Sequence, residues 1–379
     1  MALSSHPLPP AALDAPVLQR IYENTPRAPR TRPRALQAAP SASPPPPVTA
    51  PRAPSPLPPP AETSQIRPRR LAERYVLAEY LDSGGTADVF AASDELTGQR
   101  VAIKILNRAS AADRLLRRYF LAGARAAIGA VHPNLLRVYD VHEPEDAAPF
   151  AVMELVHGRA LSSWLADHGA LEPEQAVELA IQAAAGLDAA HRRGLVHCDV
   201  KPENLLVDAP PGGLALKVID FDLAAMPEHD DPHEHPLLRG TAKYMAPEQA
   251  IGDRVDARAD VYALGVVLFR MLTGHLPFEL DLSATLLWHQ LASPVPPPSW
   301  LCEGLDPRLD AIVQRALRKA PENRYATMSS LLADLHAYRG GGPLIAERPL
   351  SAPDVYVPQT PDAQNAARAL ERCMRPRSG

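Results

Sequence analysis

The stretch GLVHCDVKPENLL, residues 194–206, places an aspartate, a lysine and an asparagine at offsets 0, +2 and +5: Asp199, Lys201 and Asn204. An apolar run with helical spacing precedes it, so these groups fall on a loop. A carboxylate can accept a hydroxyl proton, an ammonium can neutralise phosphate charge, and an amide oxygen can ligate a hard cation. Phosphoryl transfer needs those parts, because it depends on positioning and on cations over the phosphate oxygens more than on covalent help. Read by itself, the stretch is equally a polar turn.

Five further pieces occur in a fixed order around it. LDSGGTADVF, residues 81–90, is a glycine-bearing turn between strands, and Gly84 and Gly85 have no Cβ to keep backbone N–H groups from a phosphate. VAIK ends in Lys104, HPN spans 132–134, VIDFDLA carries Asp220, and GTAKYMAPE ends in Ala246, Pro247 and Glu248. Each is weak alone: paired glycines are common in turns, and a strand lysine is usually solvated.

The elements that must hold these groups are legible in coarse form. RYVLAEYLD, ADVFAAS, RVAIKIL, LLRVYDV and FAVMELV read as strands, and residues 109–129 as a helix, which predicts a five-stranded sheet with one helix over 74–156. After His157 the pattern turns helical. EQAVELAIQAAAGLDAAHRRG puts Val177, Ile181, Ala184 and Leu187 on one face and stops at Gly194. Residues 260–273, EGLDPRLDAIVQRALRK and SSLLADLHAY add further helices. A small β-rich lobe on a larger helical lobe creates a cleft, where ligands commonly bind.

In this order the motifs make the chain resemble a bacterial, eukaryotic-like Ser/Thr protein kinase over residues 74–339. The resemblance implies an α+β, two-lobed kinase fold with an antiparallel N-lobe (74–156) and a mostly helical C-lobe (157–339). It implies ATP and Mg²⁺, with Mn²⁺ as a substitute, and protein substrates. By it, Lys104 holds the α/β-phosphates, Asp199 accepts or orients the hydroxyl proton, and Lys201 neutralises the γ-phosphate. Asn204 and Asp220 ligate the metal. Met153 gates the adenine pocket, the backbone from Glu154 to Val156 bonds adenine, and Val89, Ala102 and Leu206 sandwich the ring; these apolar residues serve equally as plain core. Glu248 pairs with Arg324, and Asp260 braces the loop. The D-x-K-x-x-N form resembles Ser/Thr rather than Tyr kinases, and Thr241 agrees.

Four positions depart from the family pattern. Gly123 stands where the helix should offer Lys104 a glutamate, and no acidic residue lies between Arg114 and Tyr139. Lys104 is then expected to rely on Asp220, the phosphates or another acid. A lost charge-assisted bond of about 1.5–3 kcal/mol is roughly a ten- to hundredfold loss in rate. Asp82 and Ala87 occupy two of the three usual glycine positions, and Asp222 replaces the glycine after Phe221. Cys198 replaces the arginine that typically docks a phosphorylated activation loop, and residues 223–240 contain no Ser, Thr or Tyr. The expectation is a kinase not regulated by phosphorylation of 223–240. The alternative is a pseudokinase or low-activity kinase acting as a partner-binding signalling module.

Residues 1–70 hold 19 of the 43 prolines and nine arginines against three acidic residues, a formal +6 in a chain of −5. So few large apolar groups cannot offset the ordering entropy, so residues 1–73 read as a disordered arm and a place for a soluble regulatory partner. The arginines are dispersed, and no nucleic acid is expected. Cys198, Cys302 and Cys373 show no paired or metal-like spacing, which predicts reduced thiols and a cytoplasmic location. MALSSHPLPP lacks the features of a signal peptide. The longest strongly apolar run, residues 261–269, is half a membrane span and predicts a buried helix. The histidines of EHDDPHEH, 228–235, match no metal spacing. Residues 340–379 read as a weakly patterned tail.

Overall fold

The computed structural model describes residues 70–221, 242–279, 284–348 and 354–374. Residues 1–69, Asp222, the acidic stretch 228–235 and Thr241 lie outside the described residues.

The N-terminal strands are β1 (Arg70–Leu71), β2 (Tyr75–Ser83), β3 (Ala87–Asp94), β4 (Arg100–Leu106), β5 (Val138–His142) and β6 (Phe150–Glu154). They form one antiparallel sheet in the order β1-β2-β3-β4-β6-β5. Among the described residues the sheet therefore has six strands rather than the five expected. The extra strand pairs only Arg70 with Val76 and Leu71 with Tyr75, too short to show an alternating pattern.

Strand period puts alternate residues on opposite faces. On one face Leu71, Tyr75, Leu77, Val101, Ile103, Phe150 and Val152 pack together. On the other, Ala87, Leu106 and Ala151 pack against Phe120, Leu121 and Ala124 of a helix, Arg114–Ala127. Asp113 caps that helix by accepting from the backbone N–H groups of Leu115 (2.8 Å) and Leu116 (3.1 Å). Lys104 shares the parity of Ala102 and Leu106, so it faces the helix side of the sheet rather than the outer core. It sits on the central strand β4, paired to Val89 and Ala151 on either side.

The larger lobe is built on helices Pro173–His191 and Arg258–Thr273, with Pro307–Ala316 and Met328–Gly340 packed around them. Val177, Ile181, Ala184 and Leu187 are all in its core, as their spacing predicts. Residues 261–269 are the buried middle of helix Arg258–Thr273. A three-stranded sheet, β7 (Arg159–Ala160), β8 (Leu205–Asp208) and β9 (Ala215–Val218), meets the first lobe through β9, where Lys217 pairs with Glu154 and Val218 O accepts from Leu136 N–H. Glu248 and Arg324 form a two-pronged pair (2.6 and 2.7 Å), and Arg324 also donates to the carbonyls of Arg318, Lys319 and Arg258. Both are buried, and this satisfaction of the guanidinium makes the buried charges tolerable.

The tail differs from its sequence-based expectation. Residues 354–374 include a helix, Pro361–Met374, and pack back onto the larger lobe.

Candidate active site

The loop between helix Pro173–His191 and β8 carries the polar triplet. Its anchor is Asp260, in the first turn of helix Arg258–Thr273 and fully buried. One carboxylate oxygen accepts from His197 N–H (2.8 Å) and His191 Nε2 (2.7 Å), the other from Cys198 N–H (2.9 Å). Burial alone would raise the Asp260 carboxyl, but the bonds from His191 and His197 hold it below the usual range. His197 continues the brace: Nε2 donates to Ile219 O (2.9 Å), and Nδ1 accepts from Asp199 N–H (3.2 Å). The neutral ring with its proton on Nε2 satisfies both. Cys198 is held at φ +64°, in the left-handed region, and its carbonyl accepts from Gln249 Nε2 (2.8 Å).

The three residues of the opening stretch come together. Lys201 Nζ donates to Asp199 Oδ2 at 2.6 Å. Asn204 Nδ2 donates to the same oxygen (3.0 Å) and to the Asp199 carbonyl (2.8 Å). The other oxygen, Asp199 Oδ1, is buried and has no hydrogen-bond partner among the described residues. An unpaired carboxylate oxygen in a buried place is costly unless a ligand completes it.

Lys104 reaches across from the sheet to pair with Asp220 Oδ1, 116 residues away. The pair links the two lobes, and it supplies the acid that Gly123 does not. Gly123 is buried within helix Arg114–Ala127, whose arginines 117 and 125 instead hold Glu143 (3.2 and 2.8 Å). Asp220 sits at φ +71°, a backbone state that aspartate tolerates better than most residues. Asn204 and Asp220 offer hard oxygens of the type Mg²⁺ takes, two protein ligands leaving room for phosphate and water. Among the described residues no cluster of three His, Cys, Asp or Glu could hold a metal.

The remaining candidate residues lie on or beside β2, β3, β4, β6 and β8. Gly84 and Gly85 form the β2–β3 turn, closed by Gly84 N–H to Ala87 O (2.9 Å). Asp82 is exposed and accepts from its neighbour Ser83 N–H (2.8 Å), so it satisfies itself locally. Ala102 on β4 pairs with Ala91 and with Met153 on β6. Val89, Met153, Val156 and Leu206 are half-buried. The Glu154 N–H is committed to Arg137 O (2.9 Å), and its carboxylate pairs with Lys217 of β9 (3.0 Å). Lys217, His191 and Gln249 were not singled out from the sequence. Their partners lie 63, 69 and 51 residues away, and no local pattern marks them.

Residues 75–335 match the family model described as protein kinase domain. Serine/threonine-protein kinase PknB of Mycobacterium leprae is 38% identical over 291 residues, covering 76% of this chain and 46% of that protein. Serine/threonine-protein kinase Pkn1 of Myxococcus xanthus is 36% identical over 294 residues, covering 74% and 42%. The crystal structure of the Mycobacterium tuberculosis PknI kinase domain superposes with a TM-score of 0.57 at 27% identity, over 71% of this chain and 97% of that one. The chain spans about half the length of the curated relatives it matches.

Proposed function

Because this chain belongs to the protein kinase family, in its bacterial eukaryotic-like Ser/Thr branch, we propose that it is an ATP- and Mg²⁺-dependent protein serine/threonine kinase. The observation that carries this reading is the Asp199 carboxylate. Lys201 and Asn204 fix one oxygen, and the other is buried and unpartnered. That second oxygen is suited to accept the proton of a substrate Ser or Thr hydroxyl.

In this reading the hydroxyl oxygen attacks the γ-phosphorus, its proton passes to Asp199, and ADP leaves. Lys201, beside Asp199, lies over the charge of the transferred group. Lys104 holds the α/β-phosphates and is itself held by Asp220. Gly84 and Gly85 let the turn approach the phosphates, while Val89, Ala102 and Leu206 enclose the adenine next to Met153. The hinge bonds adenine through the backbone between Glu154 and Val156, with the Glu154 N–H already taken by Arg137. The Asn204 amide nitrogen donates to Asp199, which leaves the amide oxygen, with the Asp220 carboxylate, to hold Mg²⁺. When bound, Mg²⁺ would neutralise phosphate charge. The absence of hydroxyl side chains from 223–240, together with Cys198, supports a kinase that phosphorylation of that segment does not switch on.

The test is transfer of labelled γ-phosphate from Mg·ATP, to the full chain itself and to a generic basic protein. Asp199→Asn should lower incorporation by about 10²- to 10⁴-fold while nucleotide binding persists. A wild-type chain that transfers nothing with Mg²⁺ or Mn²⁺ would make the pseudokinase reading correct. Phosphosites mapped on the product should leave the activity independent of this loop, and an activating phosphate on Thr241 would overturn that part.

A further inference from the structure

The segment 354–374 lies beyond the residues that match the family model, yet it is tied to the larger lobe at three points. Asp354 Oδ1 accepts from the backbone N–H groups of Lys319 (2.8 Å) and Ala320 (3.2 Å). Tyr356, buried, donates its hydroxyl to Asp253 Oδ2 (2.7 Å), and the same oxygen accepts from Gln359 N–H (2.6 Å). The helix Pro361–Met374 then lays Ala363 and Ala367 against Ala250, Ile251 and Leu291.

The second and third of these ties converge on one short helix, Pro247–Ala250, and the residues just after it. Asp253 N–H donates to Glu248 O (2.8 Å), so the bond from Tyr356 continues into the Glu248–Arg324 pair. Gln249 lies between Glu248 and the strap-covered Ala250. Its side chain spans two loops: Oε1 accepts from Ala246 N–H (3.1 Å), and Nε2 donates to Cys198 O (2.8 Å). Cys198 immediately precedes Asp199. A contiguous set of bonds thus runs from the C-terminal segment to the loop that carries the carboxylate.

We propose that residues 354–374 are a positioning strap for the catalytic loop, and that Gln249 is the positioning residue through which the strap acts. The inference rests on the kinase reading for its rate consequences, and on the contacts alone for its structural ones. The strap touches none of Lys104, Asp220 and the hinge through the contacts above. Releasing it should therefore slow turnover without weakening ATP binding, whereas general destabilisation would change both.

Two strap variants are made in the full chain: Tyr356→Phe, which removes the bond to Asp253, and Ala363→Glu, which puts a charge where there is no exposed surface. They are compared with Gln249→Ala. The loss of one hydrogen bond in the brace should lower kcat by about five- to tenfold, with KM for ATP within about twofold. Tyr356→Phe added to Gln249→Ala should lower kcat no further, because the two act along one route. Amide exchange over 195–204 should quicken in each strap variant, a readout independent of transfer. If residues 361–374 exchange freely while 195–204 and kcat do not change, or if the double variant is fully additive, the strap idea is wrong. A wild-type chain without transfer activity would sink the kinase reading, and the exchange experiment would still decide the strap. Should Ala363→Glu fail to fold, the milder Tyr356→Phe carries the same comparisons.

Discussion

Asp260 shows how one buried carboxylate can organise a loop that carries chemistry. It accepts three hydrogen bonds, two of them from consecutive backbone N–H groups, at His197 and Cys198. Two adjacent amides donating to one carboxylate hold the loop where Asp260 is. Its carboxyl is depressed in the folded state, despite burial that alone would raise it, because His191 and His197 favour the anion. Such a group contributes stability above its unfolded pKa, near 4, and loses it as pH falls through the lower folded value. Asp260→Asn keeps the shape but points an amide NH₂ at groups that themselves donate. It should lose about 2–4 kcal/mol of unfolding free energy at neutral pH. The gap to wild type should narrow below about pH 4. Urea titrations at both pH values measure this; a variant as stable as wild type at neutral pH would show that the anion is not what holds the loop.

At the scale of elements, a glycine in the middle of helix Pro173–His191 has a packing reason. A Cβ at Gly186 would lie 2.5 Å from Asn134 O, a backbone atom of the turn 132–134. That turn is held in place: Asn134 Nδ2 donates to Leu216 O (2.8 Å), and Asn134 N–H donates to His132 Nδ1 (3.2 Å). Gly186→Ala would raise helix propensity by up to about 1 kcal/mol. The clash should outweigh it, for a net loss of about 1–3 kcal/mol in thermal or urea unfolding. An unchanged or raised Tm would mean that the helix can stand further off. The stripe of this helix was legible because Val177, Ile181, Ala184 and Leu187 repeat at helical spacing and end at Gly194. The strands were legible from β-branched and aromatic alternation, and the site from charged groups at fixed offsets in a loop. Helix Pro361–Met374 was not, although Ala363, Ala366, Ala367 and Leu370 have the right spacing. Alanine carries little hydropathy, and Asp362, Arg368 and Glu371 among and beside them dilute the pattern. Sequence offered Asp220 as one of several partners for Lys104; which of them it takes is decided only once the two lobes are folded together.

For the whole molecule, the helical lobe and its C-terminal segment meet at Lys319. Its ammonium donates to His289 O (3.2 Å) in helix Ala284–Ala292. It lies over the rings of Phe278 (4.8 Å) and Tyr262 (5.8 Å), and its backbone N–H holds Asp354. Burial pushes its pKa down to about 7, with Asp354 acting in the opposite direction and Arg324 in the same one. The ring faces favour the cation and work against that shift. The sign of the pH effect follows. Below about pH 7 both the folded and unfolded chains carry the proton, and the full burial penalty is present. Between about 7 and 10 the unfolded chain still binds it while the folded chain releases it, so this group makes stability rise with pH. Lys319→Met fills similar space without a titrating group and keeps the backbone bond to Asp354, so the strap is not released. The unfolding free energy of wild type relative to that variant should be level from pH 5 to 6 and rise by about 1–2 kcal/mol from pH 7 to 9. Taking the difference removes the contributions of every other titrating group that the substitution leaves in place. A flat difference across that range would mean that Lys319 keeps its proton when folded. The aromatic faces and the His289 carbonyl would then stabilise a buried cation where the helical lobe and its C-terminal segment meet.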